Sequence, residues 1–128
     1  MDNTISLYID KKIDKYYSRF GINRSLCGSV YLCDAIKLSV EDDSLLHRNI
    51  TTRLYPMIAE KYSVSPMQVE RAIRNLIRIC FLNSNIKEVF EDFFENTLYN
   101  NFYKPSNSEL ISLCCWKLKL RLQEDGLM

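Results

Sequence analysis

Apolar residues recur at helical spacing along most of the chain, with polar residues filling the positions between them. From Thr4 to Phe20, Ile5, Tyr8, Ile9, Ile13, Tyr16, Tyr17 and Phe20 keep the 3.6-residue period, while Asp10, Lys11, Lys12, Asp14 and Lys15 fill the rest. Gly21 then ends this first helix as a left-handed C-terminal residue would. A second helix carries Leu26, Val30, Tyr31, Ala35, Ile36 and Leu38 and fades in Glu41-Asp42-Asp43. Asn23 or Ser25 is expected to cap it. Gly28 in its first turns costs about 1 kcal/mol relative to Ala and so marks a close helix contact. A third helix from about Asn49 to Tyr62 contains Pro56, which removes a backbone hydrogen bond. Either a kink or a helix that starts only near Tyr55 should follow. Beyond a fourth helix, Asn83-Ser84-Asn85 makes a turn. Ile86, Val89, Phe90, Phe93 and Phe94 give a short fifth helix that Asn96 or Asn100 would close.

The last helix opens on Ser106 with Glu109 as its box partner and runs through Leu110, Ile111, Leu113, Cys114, Trp116, Leu118, Leu120 and Leu122. Trp116 is expected as a core anchor, and Lys117, Lys119 and Arg121 as cations complementing the helix C-terminal half. The pattern contains no strand alternation, internal repeat or low-complexity segment, so the expected architecture is all-α with six helices.

The stretch Tyr55 to Asn83, YPMIAEKYSVSPMQVERAIRNLIRICFLN, carries the most chemistry. Ser65 supplies an N-cap hydroxyl, Pro66 sits where its missing N–H costs nothing, and Gln68 can reach back as a capping box. Val64 and Val69 fit a hydrophobic staple. Val69, Ala72, Ile73, Leu76, Ile77 and Cys80 make one apolar stripe, leaving Gln68, Glu70, Arg71, Arg74, Asn75 and Arg78 on the other side. In front of it, Tyr55, Ile58, Ala59 and Tyr62 give a shorter apolar face, with Ala59 small enough for a close helix crossing. This is the pattern of a helix-turn-helix spanning about residues 49–83, whose second helix, about 66–82, would lie in a DNA major groove. A guanidinium donates two parallel bonds to guanine O6 and N7, and Gln or Asn can pair with adenine, each good pair discriminating by about 1–3 kcal/mol. An ordinary amphipathic helix with a solvated basic face is the competing reading. The capping box, the staple, Ala59 and the arginine stripe together favour DNA. Ser63 occupies the turn position often filled by Gly, so a different local turn geometry is expected there.

At 128 residues the chain reads as one domain, able to bury roughly two-thirds of its unfolded surface. Three prolines, three glycines and 47% hydrophobic residues exclude a disordered tail. The net charge of +1 argues against binding nucleic acid by bulk electrostatics. From Arg48 to Arg78, however, six cations face two acids, so six minus two leaves a local +4. The compensating acids lie at Glu41-Asp42-Asp43 and at Glu88, Glu91, Asp92 and Glu95, the last group on an element expected to face away from DNA. Five scattered cysteines, one histidine (His47) and no C-x-x-C spacing argue against a zinc site or a disulfide framework, and no cofactor is implied. No membrane-length apolar run or secretion signal appears, so reduced thiols and a cytoplasmic location are expected. Without a Gly-rich phosphate loop or a nucleophile paired to His47, the chain does not read as an enzyme.

Two blocks, ITTRLYPMIAEKYSVSPMQVERAIRNLI and KPSNSELISLCCWKLKLRL, resemble the C-terminal effector domain of the master sporulation response regulator of endospore-forming Firmicutes. SLCGSVYLCDAIKLSV lies where that domain has its second helix, so the likeness covers nearly the whole chain. The resemblance implies a single six-helix domain over residues 1–128, of the winged-helix-like kind without an evident wing. It further implies a TGTCGAA-like box, often in tandem copies, read by the fourth helix. Glu70, Arg71 and Arg74 match the family's base-reading positions, and Lys104 matches a basic loop position assigned to phosphate. Three departures stand out. Met1 opens almost directly on the first helix, so a stand-alone form without a phosphoacceptor receiver domain is expected. Asn75 stands where these regulators usually have histidine, and the aromatic, acidic stretch from Val89 to Asn96 is unlike the usual fifth helix.

The expectation is therefore a sequence-specific transcriptional regulator. Gln68, Glu70, Arg71, Arg74 and Asn75 are expected at bases, and Arg48, Arg53, Ser65, Arg78, Lys104 and Ser106 at phosphates. Double-stranded DNA is the expected partner. Tandem copies of itself, a full-length response regulator and RNA polymerase are the candidate protein partners. The alternative is a protein-interaction module that pairs with or antagonises a full-length regulator.

Overall fold

The computed structural model describes residues 2–94 and 104–128, and among these it is all-helical without strands. Helix α1 (Asn3–Phe20) starts at Asp2, whose carboxylate accepts from the Ile5 N–H, and ends at Gly21 with φ 70°. Helix α2 (Cys27–Glu41) is not capped by Asn23 or Ser25 as expected: its N-cap position is Leu26, which offers no side-chain bond. The Asn23 carboxamide instead accepts from the N–H and hydroxyl of Ser25 at 2.9 and 2.8 Å, closing a local turn before the helix begins.

A 3-10 turn (Asp43–Leu45) follows, in which the Asp42 carboxylate accepts both the hydroxyl and the N–H of Ser44. Those bonds hold the Asp42 carboxyl below the usual carboxylate range. The proline question resolves through a π turn (Ile50–Leu54), where the Tyr55 N–H reaches back to the Ile50 carbonyl. Helix α3 (Tyr55–Tyr62) begins there, so Pro56 falls in its first turn and breaks no helical bond.

Ser63 departs from expectation in the opposite sense to that anticipated. It adopts the left-handed conformation itself (φ 55°, ψ 44°), and its N–H turns back to the carbonyls of Ala59 and Glu60. The turn thus keeps the geometry a glycine would give, with those bonds offsetting the cost to a β-carbon. Helix α4 (Pro66–Cys80) follows, then α5 (Ile86–Phe93) and α6 (Asn107–Glu124). Asn96 and Asn100, expected to close α5, lie outside the described residues.

Helix α2 is the hub, packing on α1, α3, α4 and α6. Its glycine is the point of closest approach. A Cβ on Gly28 would stand 2.3 Å from the Ala72 carbonyl oxygen and 3.1 Å from the Leu76 Cβ, so only glycine lets α2 lie against α4 at this distance. Phe20 of α1 meets Phe90 and Phe93 of α5 at ring separations of 4.5 and 4.8 Å, and Tyr16 meets Phe93 at 4.7 Å. The α5 aromatics are core, as their spacing implied. In α6, Leu110, Ile111, Cys114, Cys115, Leu118 and Leu122 are buried, but Trp116 is 39% exposed and is not the core anchor expected of it. Its neighbour Lys117 turns inward instead, donating to the Phe93 carbonyl with its ammonium 3.9 Å from the Phe93 ring centre. The five cysteines are unpaired. Cys80, Cys114 and Cys115 are buried as expected, Cys33 is half-buried and Cys27 is exposed. Burial pushes the Cys33 and Cys80 thiols up to about 11. Among the described residues no helix is long and apolar enough to cross a membrane.

Candidate nucleic-acid interface

The expected capping box at the start of α4 is complete. Ser65 Oγ accepts from the Gln68 N–H at 3.1 Å, and Gln68 Oε1 accepts from the Ser65 N–H at 2.7 Å. No acidic residue lies in the first turn of α4, so nothing there offsets the partial positive charge of the helix N-terminus. Val69, Ile73, Leu76, Ile77 and Cys80 are buried, which fixes the opposite face, with Gln68, Arg71, Arg74, Asn75 and Arg78 exposed and Glu70 half-buried.

Four of these side chains converge with one from a distant loop. Arg71, Arg74, Asn75, Arg78 and Lys104 line a single open recess of about 290 Å³. Within it, Arg78 donates twice to Asn75 Oδ1, from Nε at 3.2 Å and from Nη2 at 2.8 Å. Arg74 lies 3.4 Å from the Glu70 carboxylate one turn earlier. Arg71 and Lys104 have no carboxylate partner among the described residues, so both cations can meet an anionic ligand.

A second groove, of about 480 Å³, continues from this recess between α4 and the start of α6, bringing Arg74, Glu70 and Lys104 beside Ser106 and Glu109. Several of its polar residues did not stand out in the sequence as site residues, His47, Thr51 and Asn107 among them. His47 reaches the groove from a left-handed backbone (φ 61°), for which no neighbouring turn motif gives a signal. Asn107 Nδ2 donates to the Tyr55 hydroxyl at 3.1 Å and to the Glu70 carbonyl at 3.0 Å, joining α6 to α3 and α4. Burial of Tyr55 pushes its phenol up against the opposing hydrogen bond from Asn107, so the hydroxyl stays protonated.

The remaining expected residues stand apart from this cluster or are committed elsewhere. Arg53 turns to Ser44 Oγ at 3.1 Å and Asp42 at 3.8 Å, at the far end of α2. Arg48 is exposed and lines neither recess. Ser65 and Gln68 spend their hydroxyl and carbonyl oxygens on the α4 cap. A bidentate pairing of Gln68 with adenine would have to release the cap. Ser106 is likewise occupied by the α6 cap, accepting from the Glu109 N–H at 3.1 Å while Glu109 Oε1 accepts from the Ser106 N–H at 3.0 Å. None of the described α5 residues lines either recess.

A family model described as Sporulation initiation factor Spo0A C terminal matches residues 13–118, from the middle of α1 into α6.

Proposed function

The chain belongs to the Spo0A C-terminal family of DNA-binding regulatory domains, and we propose that it reads a TGTCGAA-like box with α4 in the major groove. In this reading Arg71 and Arg74 pair with guanines. Glu70, 3.4 Å from Arg74, orients that guanidinium or accepts from a cytosine amino group. Asn75 and Gln68 assist at bases, Asn75 with its carbonyl already held by Arg78. Lys104 and Arg78 hold phosphate at the recess, and the Ser65 and Ser106 hydroxyls can donate to phosphate while accepting in their caps. Arg48 and Arg53, which line neither recess, reach only a flanking phosphate, Arg53 after leaving Asp42.

The convergence of Arg71, Arg74, Asn75, Arg78 and Lys104 on one recess carries the reading. Three of these cations sit on one exposed helix face, and the fold adds Lys104, 26 positions beyond Arg78, to the charge the sequence already concentrates there. Copies side by side on tandem boxes, a full-length response regulator and RNA polymerase are the protein partners this reading allows, within the cytoplasm. A second reading, a protein-interaction module, draws on the exposure of Trp116 beside Leu113 on α6.

Titrating the protein against a duplex with one TGTCGAA-like box and against a scrambled duplex, at two salt concentrations, separates the two. A preference of about tenfold or more that persists at the higher salt supports base reading. Equal, salt-sensitive affinity for both duplexes refutes that box. Absence of binding to any duplex leaves the interaction module.

A further inference from the structure

The three-way link made by Asn107 has no role in building its own helix. Helix α6 is already capped by Ser106 and Glu109, and Asn107, its first residue, takes no part in that cap. Yet Asn107 is half-buried, and its amide donates both to the Tyr55 hydroxyl on α3 and to the Glu70 carbonyl on α4. The Glu70 carbonyl can only accept, so the nitrogen of the carboxamide must face it, and the orientation of the side chain is fixed. We infer that Asn107 is a positioning residue for DNA recognition, holding α4 against the first turn of α6 so that Arg74 and Lys104 engage one duplex together. This rests on the DNA reading above and adds a residue outside the helix-turn-helix that sets its accuracy.

The opposite side of α4 supports the assignment. There the Ala72 carbonyl lies where a Cβ on Gly28 would clash at 2.3 Å, so the Gly28 backbone packs closely against α4. On the opposite face, two residues earlier, the bond from Asn107 to Glu70 ties α4 to the first turn of α6. Glu70, Arg74, Lys104 and Asn107 all border the same groove, so a shift of α4 there changes the spacing between base-reading and phosphate-holding cations. Base pairing is sensitive to that spacing, whereas long-range attraction to phosphate is not.

The test uses a duplex selected from a random pool by the wild-type protein, a scrambled duplex of the same composition, and the variants Asn107→Ala and Tyr55→Phe. Affinities are taken at two salt concentrations, well below each variant's Tm. Asn107→Ala should lower the selected-to-scrambled affinity ratio by about tenfold while leaving affinity for the scrambled duplex within about twofold and the salt slope unchanged. Tyr55→Phe keeps the ring in the core and removes one of the two acceptors, so its ratio should fall by about threefold. It carries the test should Asn107→Ala fail to fold. A ratio unchanged in the folded variants overturns the inference while leaving the DNA reading standing. If the wild-type protein selects no sequence, the DNA reading falls and the inference with it.

Discussion

Helices α4 and α6 begin alike and end as opposite surfaces. Each opens on a serine whose hydroxyl caps the third residue of the helix, and each third residue reaches back to the serine N–H. In α4 that residue is the neutral Gln68, and the first turn holds no acid; in α6 it is the anionic Glu109. Both caps close the local hydrogen bonds, but only Glu109 offsets the partial positive charge of the helix end. Beyond the first turn the two diverge further. Helix α4 buries a single stripe and turns Arg71, Arg74, Asn75 and Arg78 outward, while α6 buries Leu110, Ile111, Leu113, Cys114, Cys115, Lys117, Leu118 and Leu122 around most of its circumference. A cap therefore reports where a helix starts, and the charge of its box residue together with the width of its apolar face reports what the helix is for. By this measure the start of α4 suits an anion better than the start of α6 does.

The largest effect that would break this division is a core truncation in α6. Leu118 is fully buried, and Leu118→Ala should cost about 2–5 kcal/mol of stability, read by urea or thermal unfolding. Below the new Tm, the folded variant should discriminate between duplexes as the wild type does. If discrimination disappears while the protein remains folded, α6 takes part in reading bases and the division is wrong. Arg74→Ala should give the converse. Arg74 is exposed, so stability should change by less than about 0.5 kcal/mol. Specific affinity should fall by about 1–3 kcal/mol with preference flattened at one base position. An equal loss on every sequence would instead make Arg74 a phosphate contact.

What was legible in the sequence followed how local its physics is. The α4 cap, the buried stripe and the left-handed Gly21 depend on residues within one or two turns, and all three appear as read. Gly28 was legible for a different reason, since a glycine inside an otherwise good helix must be offset by something, and here that is the Ala72 backbone. The turn at Ser63 was misjudged because residue type alone hides the two backbone bonds that make a left-handed serine tolerable. Trp116 was misplaced because apolar residues fall on every side of α6, interrupted by polar ones. Such a pattern gives no angle at which to orient the helix, and Lys117 took the inward position through its bond to Phe93. Asn107 carried no signal at all. Its partners lie 52 and 37 positions away, and a half-buried asparagine just inside a cap resembles any polar residue at a helix start. The exposed cationic face of α4 was therefore readable from the chain, while the Asn107 link that joins it to α6 was not.

The smallest expected effect gives the sharpest test, because it exchanges only the box residues. Gln68→Glu keeps a side chain able to reach the Ser65 N–H and places a carboxylate in the first turn of α4. Helix stability should rise by about 0.3–1 kcal/mol, since the new charge complements the macrodipole. Affinity for every duplex should fall, because the same carboxylate repels the phosphates drawn to that helix end. Glu109→Gln should lower stability by about 0.3–1 kcal/mol and leave duplex affinity unchanged if the start of α6 only braces the site. Should Glu109→Gln instead tighten binding as much as Gln68→Glu weakens it, the two helix ends stand equally close to phosphate. The start of α6 would then approach phosphate as closely as the start of α4 does, and the asymmetry drawn from the two caps would fall.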